Sequence, residues 1–139
     1  MAARIDLTLD CATPPRLAGF WKLALGYIDE PPPPPFTTRE EWIREYGDPG
    51  DTVDDAAFLK DPAGVGPRLV LMRVPEPKML KNRLHIDVRV AGTGSAVERW
   101  ERITRTVTEL TAAGGITIQE FEGDHIVMAD PEGNEFCVA

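Results

Sequence analysis

Positive charge is in short supply in this chain: 15 Lys and Arg stand against 23 Asp and Glu, leaving a net charge of −8 over 139 residues. A surface that acidic repels phosphate backbones and anionic headgroups, which argues against nucleic-acid and membrane partners. Cysteine is scarce too. Cys11 and Cys137 are the two present, without CxxC spacing, so neither a disulfide framework nor a zinc ribbon is encoded. In a reducing compartment they are free thiols whose default role is filling a core. No apolar run approaches the ~18 residues of a membrane span. Residues 1–6 carry no basic–apolar–small signal pattern, so the expectation is a soluble, cytoplasmic protein. The fingerprints GxSxG, P-loop, GxGxxG and HExxH are all missing, which removes the commonest hydrolase, nucleotide and zinc-protease readings.

What is present is an ordinary globular balance. Apolar residues make up 42% and charged residues 27%, and the length suits one domain with a real core. Residues 4–11 alternate, with Ile5, Leu7, Leu9 and Cys11 on one face and Asp6, Thr8 and Asp10 on the other, which predicts a strand. Thr13-Pro14 is an N-cap and N1 pair opening a helix. Leu17, Phe20, Trp21, Ala24 and Leu25 form its stripe, and Gly26 ends it. Residues 31–35 are all proline, which favours polyproline II. Thr38-Arg39-Glu40-Glu41 then offers a capping box for a short helix with Trp42, Ile43 and Tyr46. Residues 29–52 read as an insertion, either a lid or a surface excursion without function.

Residues 55–60 and 68–74 predict two strands joined through the turn Asp61-Pro62-Ala63-Gly64. Residues 83–90 alternate again, with Leu84, Ile86, Val88 and Val90 opposite His85, Asp87 and Arg89. Ser95-Ala96-Val97-Glu98 is a second capping box, opening a helix with the stripe Val97, Trp100, Ile103, Val107 and Leu110 that stops at Gly114-Gly115. A hairpin over 116–120 and 125–129, a turn at Asp130-Pro131-Glu132-Gly133 and a strand over 135–138 complete the chain.

The two halves repeat one order of elements. Arg4 to Arg83 is an offset of 79 residues, whereas the matching turns, Asp61 and Asp130, lie 69 apart. The first half is therefore longer between its opening strand and its turn, where the proline run falls. An internal repeat of this kind predicts an α+β fold of two βαβββ modules, module one over about 1–78 and module two over about 79–139, within one domain. Curved mixed sheets with helices on their outer faces would turn the polar strand faces toward a concave pocket.

The run Ile5 to Cys11, with Leu17-Ala18-Gly19-Phe20-Trp21 and Leu25-Gly26-Tyr27, resembles the opening of a glyoxalase-like module. Pro67-Arg68-Leu69-Val70-Leu71, Val74-Pro75-Glu76-Pro77-Lys78 and Lys81-Asn82-Arg83-Leu84-His85-Ile86-Asp87-Val88 are similar to the middle of the actinobacterial-type glyoxalase-like group, and Asp130-Pro131-Glu132-Gly133-Asn134-Glu135-Phe136-Cys137 to its close. The chain thus resembles the vicinal oxygen chelate superfamily, whose members include glyoxalases, dioxygenases, epimerases, fosfomycin-inactivating transferases and metal-free bleomycin-binding proteins. The resemblance implies paired βαβββ modules and a homodimer.

Metal-dependent members take one ligand from each of four strands, usually His or Gln, Glu, His and Glu. Those positions fall here at Asp6, about Met72, His85 and Cys137, with Glu135 two residues before the last. Only His85 matches. A thioether and a thiol suit a hard divalent ion badly, although zinc on His85, Asp6 and Cys137 is chemically conceivable. The expected pocket residues are Asp6, Thr8, Met72, His85, Asp87 and Cys137, with catalytic residues unknown and no cofactor expected, a divalent metal being the alternative. The leading reading is a binder of a small apolar or aromatic metabolite or antibiotic, bleomycin resistance-like in kind. The alternatives are a metal-dependent lyase, isomerase or dioxygenase, and a protein-interaction module using Pro31 and its neighbours. Elemental analysis of protein purified without chelators or metal columns separates them. The ligand set predicts no stoichiometric iron, manganese, nickel or zinc; about one equivalent, lost in His85→Ala, would favour the metal enzyme.

Overall fold

A computed structural model describes all residues, 1–139. The chain forms two compact units, Met1–Pro77 and Lys78–Ala139. The first contains β1 (Asp6–Cys11), α1 (Pro14–Leu25), β2 (Ile28–Asp29), α2 (Arg39–Tyr46), β3 (Ala56–Lys60) and β4 (Arg68–Arg73). The second contains β5 (Asp87–Val88), α3 (Ala96–Ala112), β6 (Ile116–Phe121), β7 (His125–Ala129) and β8 (Glu135–Val138). Each unit folds its strands into one four-stranded mixed sheet, in the orders β1-β4-β3-β2 and β5-β8-β7-β6. In both, the opening strand runs parallel to the last and the other pairs are antiparallel. This is the βαβββ unit twice, an α+β fold, with α2 added to the first copy.

Alternation on the strands decides which face each helix covers. Leu59, Leu69 and Leu71 are buried and face α1, whose Leu17, Phe20, Trp21 and Ala24 are buried in return. Phe20 and Trp21 meet edge to face at 5.7 Å, a favoured aromatic geometry. In the second unit, Ile103 and Leu110 of α3 lie over the side of the sheet that buries Ile126, Met128, Phe136 and Val138. Leu25, Trp100 and Val107 of the expected stripes are half-buried.

Local signals set the ends. Both capping boxes form, Thr38 with Glu41 and Ser95 with Glu98. Thr13 makes no side-chain cap, and Pro14 at N1 starts α1 instead. Gly26 takes the left-handed φ of 68° that closes α1, a conformation β-carbon sterics discourage. The repeated aspartates shape the turns before the closing strands. Asp61 accepts from the amides of Ala63, Val65 and Gly66 at 2.8, 3.0 and 2.8 Å. Buried Asp130 accepts from the amides of Glu132 and Asn134 and from the Asn134 side chain.

Three expectations need correction. The opening strand begins at Asp6, and Ile5 is 64% exposed. The strand expected over 83–90 shrinks to Asp87–Val88: β8 ends at Val138, opposite Val88, and before Asp87 the chain runs as a loop in which Glu135 holds the Asn82 amide and Lys81 meets His85. Bonds from Cys137 N–H to the Ile86 carbonyl, and between Val90 N–H and the Ala139 carbonyl, extend that contact without a ladder. Val97 is 67% exposed, since the first turn of α3 stands clear of the sheet. At the sheet margin, β6 is exposed at every position. No helix is long and apolar enough to cross a membrane.

Trp21 and Val97 provide the stability test. Trp21→Ala should cost about 3–5 kcal/mol by opening a cavity, while Val97→Ala should stay within about 0.5 kcal/mol; denaturant midpoints of the two variants check both.

Candidate functional site

Because each helix covers one face of its sheet, the other face carries the polar residues. On the first sheet the register sets Asp6 beside Arg68, Thr8 beside Val70 with Phe58 on its far side, and Asp10 beside Met72 with Ala56 on its far side. Asp6 and Met72 therefore sit four register positions apart, roughly 13 Å along the strands at about 3.3 Å per residue. Asp6 and Met72 are exposed, with Arg4 4.0 Å from the Asp6 carboxylate. Toward β2 the same face is covered. Arg68 grips the Glu30 carboxylate with two hydrogen bonds, 2.5 and 2.9 Å, and Glu30 raises the Arg68 pKa. Arg39 of α2 donates to the Glu30 carbonyl at 2.9 Å and lies 4.0 Å from the centre of the Phe58 ring. Trp42 meets Phe58 edge-on at 5.9 Å. Val70, which shares this face, is consequently buried.

On the second sheet Asp87 and Cys137 are direct partners across the β5–β8 pair. The Cys137 thiol is pushed above the ordinary thiol range, first by burial and then by the Asp87 carboxylate that accepts its hydrogen bond. His85 precedes β5 in a loop. Its Nε2 lies 2.6 Å from the Lys81 ammonium and 3.1 Å from the Asn82 carbonyl. An ammonium only donates and a carbonyl only accepts, so Nε2 serves one of these two neighbours at a time, according to its tautomer. Glu135 accepts from the Asn82 amide at 2.8 Å, the main cause of its lowered pKa, and from Lys78 at 3.3 Å.

A cleft of about 540 Å³ opens at the end of this sheet, lined by Asp87, Arg89, Arg99, Asp124, His125 and Cys137 with Ala91, Gly92 and Ala139. Its carboxylates are engaged. Asp124 holds His125 Nδ1 at 2.6 Å and Asp87 holds the thiol. The His125 ring also stacks on Phe121 at 4.5 Å. Arg89 and Arg99 form no ion pair.

Of the six expected pocket residues, the structure joins Asp87 to Cys137, while it separates Asp6 from Met72 and ties His85 to Lys81. No three His, Cys, Asp or Glu side chains gather as a metal-binding group. The donor types do not suit a hard divalent ion: Met72 offers a thioether, and Asp87 favours the protonated Cys137 thiol where a ligand must be thiolate. No motif in the sequence marks Arg99 or the cluster of Glu30, Arg39, Phe58 and Arg68 as a site. Alternation did mark Arg89 beside Asp87, but Glu30 and Arg68 are 38 positions apart and leave no local signal.

A raised thiol pKa has a direct readout, since the thiolate is the form that alkylates. Cys137 should react with iodoacetamide several-fold more slowly at pH 8 than an unstructured cysteine peptide, its rate still climbing above pH 9. Asp87→Asn should speed it; an unchanged rate would remove the carboxylate as a cause. Buried Cys11 serves as the internal unreactive reference.

The profile of the glyoxalase-like domain family matches residues 6–139. Among solved structures, the fosfomycin resistance protein FosX from Mesorhizobium loti superposes with a TM-score of 0.66 at 9% identity, covering 99% of this chain and 90% of that one. A possible glyoxalase from Bacillus cereus gives 0.61 at 16%, covering 99% and 98%. A glyoxalase/bleomycin resistance protein/dioxygenase family enzyme from Burkholderia phytofirmans PsJN gives 0.61 at 17%, covering 98% and 97%. At such identities these likenesses speak for the fold alone. No functionally curated protein matches the chain.

Proposed function

We propose that this chain, which belongs to the glyoxalase-like domain family, binds a small molecule with an anionic group and an apolar or aromatic body, without a catalytic transition metal. The observation that carries this reading is the second-module cleft, where two guanidiniums without partners face a space whose carboxylates are already engaged. In a chain of net charge −8, two arginines without ion pairs lining one cleft favour an anion. The stacked Phe121–His125 rings and Ala139 offer the neighbouring surface for an apolar or aromatic body. Asp87 and Cys137 line the same cleft and are joined to each other through the thiol hydrogen bond. On the first module, Asp6, Thr8 and Met72 occupy the corresponding open face and are secondary candidates for contact. His85 acts by ordering the 81–85 loop rather than by ligating. The narrower kinship to the actinobacterial-type group, and the homodimer, rest on the motif resemblance.

One structural neighbour bears on the ligand class: a FosX from Listeria monocytogenes, 12% identical, was solved with Mn(II) and 1S,2S-dihydroxypropylphosphonic acid. That ligand is a small phosphonate, in keeping with an arginine-lined cleft. The reading takes only the anion from that neighbour and no manganese, because a thioether at Met72 and a protonated thiol at Cys137 suit a hard divalent ion badly.

Titration with phenylphosphonate, followed by backbone amide shifts, tests the reading. Saturable shifts should centre on Arg89, His125 and Cys137 and weaken with added salt. Arg89→Gln and Arg99→Gln should each raise Kd about tenfold, ~1.4 kcal/mol. Shifts elsewhere, or affinity indifferent to both variants, would discard the cleft as the site.

A further inference from the structure

The insertion in the first module brings a cation to a site built like a cation receptor. The Arg39 guanidinium lies 4.0 Å from the Phe58 ring centre and 5.2 Å from that of Trp42. Its Nη2 donates to the Glu30 carbonyl at 2.9 Å, and the Glu30 carboxylate is 3.8 Å away. Two aromatic rings, one carbonyl and one carboxylate around a flat, weakly hydrated cation are the elements of guanidinium recognition. The two arginines near Phe58 differ in how they are held. Arg68 is fixed by its paired hydrogen bonds to Glu30. Arg39 makes a single hydrogen bond there and otherwise stacks, and the helix that carries it buries no residue. Its side chain is nevertheless only 16% exposed, and burial lowers its pKa. The receptor is well formed, while the tether on its occupant is slight.

We propose that Phe58, Trp42 and Glu30 form a binding site for a planar organic cation of the guanidinium or amidinium type, and that Arg39 fills it as an intramolecular plug. A free cation competes with a side chain held at high effective concentration, so its apparent affinity falls with the fraction of time the site stands vacant. Swinging the Arg39 side chain outward frees the Phe58 ring and the Glu30 carbonyl while Trp42 stays against Phe58. The proposal goes beyond the anion cleft of the second module and stands independently of it.

Methylguanidinium chloride is the probe, added to the full chain below about 50 mM, where denaturation is negligible, and compared with sodium chloride at equal ionic strength. Backbone shifts at Phe58 and the Trp42 indole proton report occupancy. Arg39→Ala should bind at least about tenfold more tightly than the unaltered chain, and adding Phe58→Leu should abolish that gain. Arg39→Lys, which keeps the charge and the aliphatic stem, should give an intermediate gain even if the alanine variant loses stability. Arg39→Met should stay near the unaltered chain, because its side chain still fills the ring face. Arg89→Gln should leave methylguanidinium binding unchanged, which separates failure of this site from failure of the anion cleft. Equal affinity in the unaltered, Arg39→Ala and Arg39→Lys proteins, or binding that survives Phe58→Leu, would overturn the proposal.

Discussion

A strand shows its side chains to two sides by turns, and each sheet here buries its apolar face under one long helix, α1 or α3, and leaves most of the other face open. Everything else depends on that constraint. Trp21 and its neighbours on α1 claim the face that carries Leu59, Leu69 and Leu71. Ile103 and Leu110 on α3 claim the face of Met128, Phe136 and Val138. Burying these surfaces supplies the dominant favourable term in folding. The polar partners of the alternation, Asp6 and Thr8 in one module and Asp87 and Cys137 in the other, are thereby left for ligands, loops and the insertion. Register then decides which of them meet.

The second consequence is a division between two copies of one design. Both modules share strand order and the aspartate turn before the closing strand. Only the first carries an insertion, and that insertion lays Arg39 and Trp42 over part of the open face. The second keeps its cleft accessible, with charges arranged around it. A duplicated unit thus presents two chemically different surfaces, one aromatic and already occupied by a cation, one lined by unpaired arginines.

Legibility in the sequence followed the range of the interactions. The capping boxes at Thr38 and Ser95, the Gly26 stop and the Asp61 and Asp130 turns are encoded within three to five residues, and all formed where read. Alternation gave the correct face for Leu7, Leu9 and Cys11. It failed at residues 83–86, where contacts from Glu135 to the Asn82 amide and from Lys81 to His85 hold the chain as a loop beside β8. The βαβββ repeat was visible because both halves print the same local signals in the same order. The site was less visible. Asp87 against Cys137 follows from parallel pairing of the first and last strands. The Glu30–Arg68 grip and the placing of Arg99 by α3 join residues far apart in the chain, and no local pattern announces them.

The exposed margin of the second sheet gives the net charge another role. β6 leaves a row of backbone amides and carbonyls unshared, flanked by Ile116 and Ile118, and such a margin recruits strands from other molecules. Its guards are Glu120 and Glu122 together with the general excess of carboxylates. Mutual repulsion between chains vanishes near the isoelectric point, at about 4.7, while the strand stays as exposed as before. The excess of carboxylates thus acts at this margin as a guard against edge-to-edge pairing, and that guard weakens as the pH falls toward the isoelectric point.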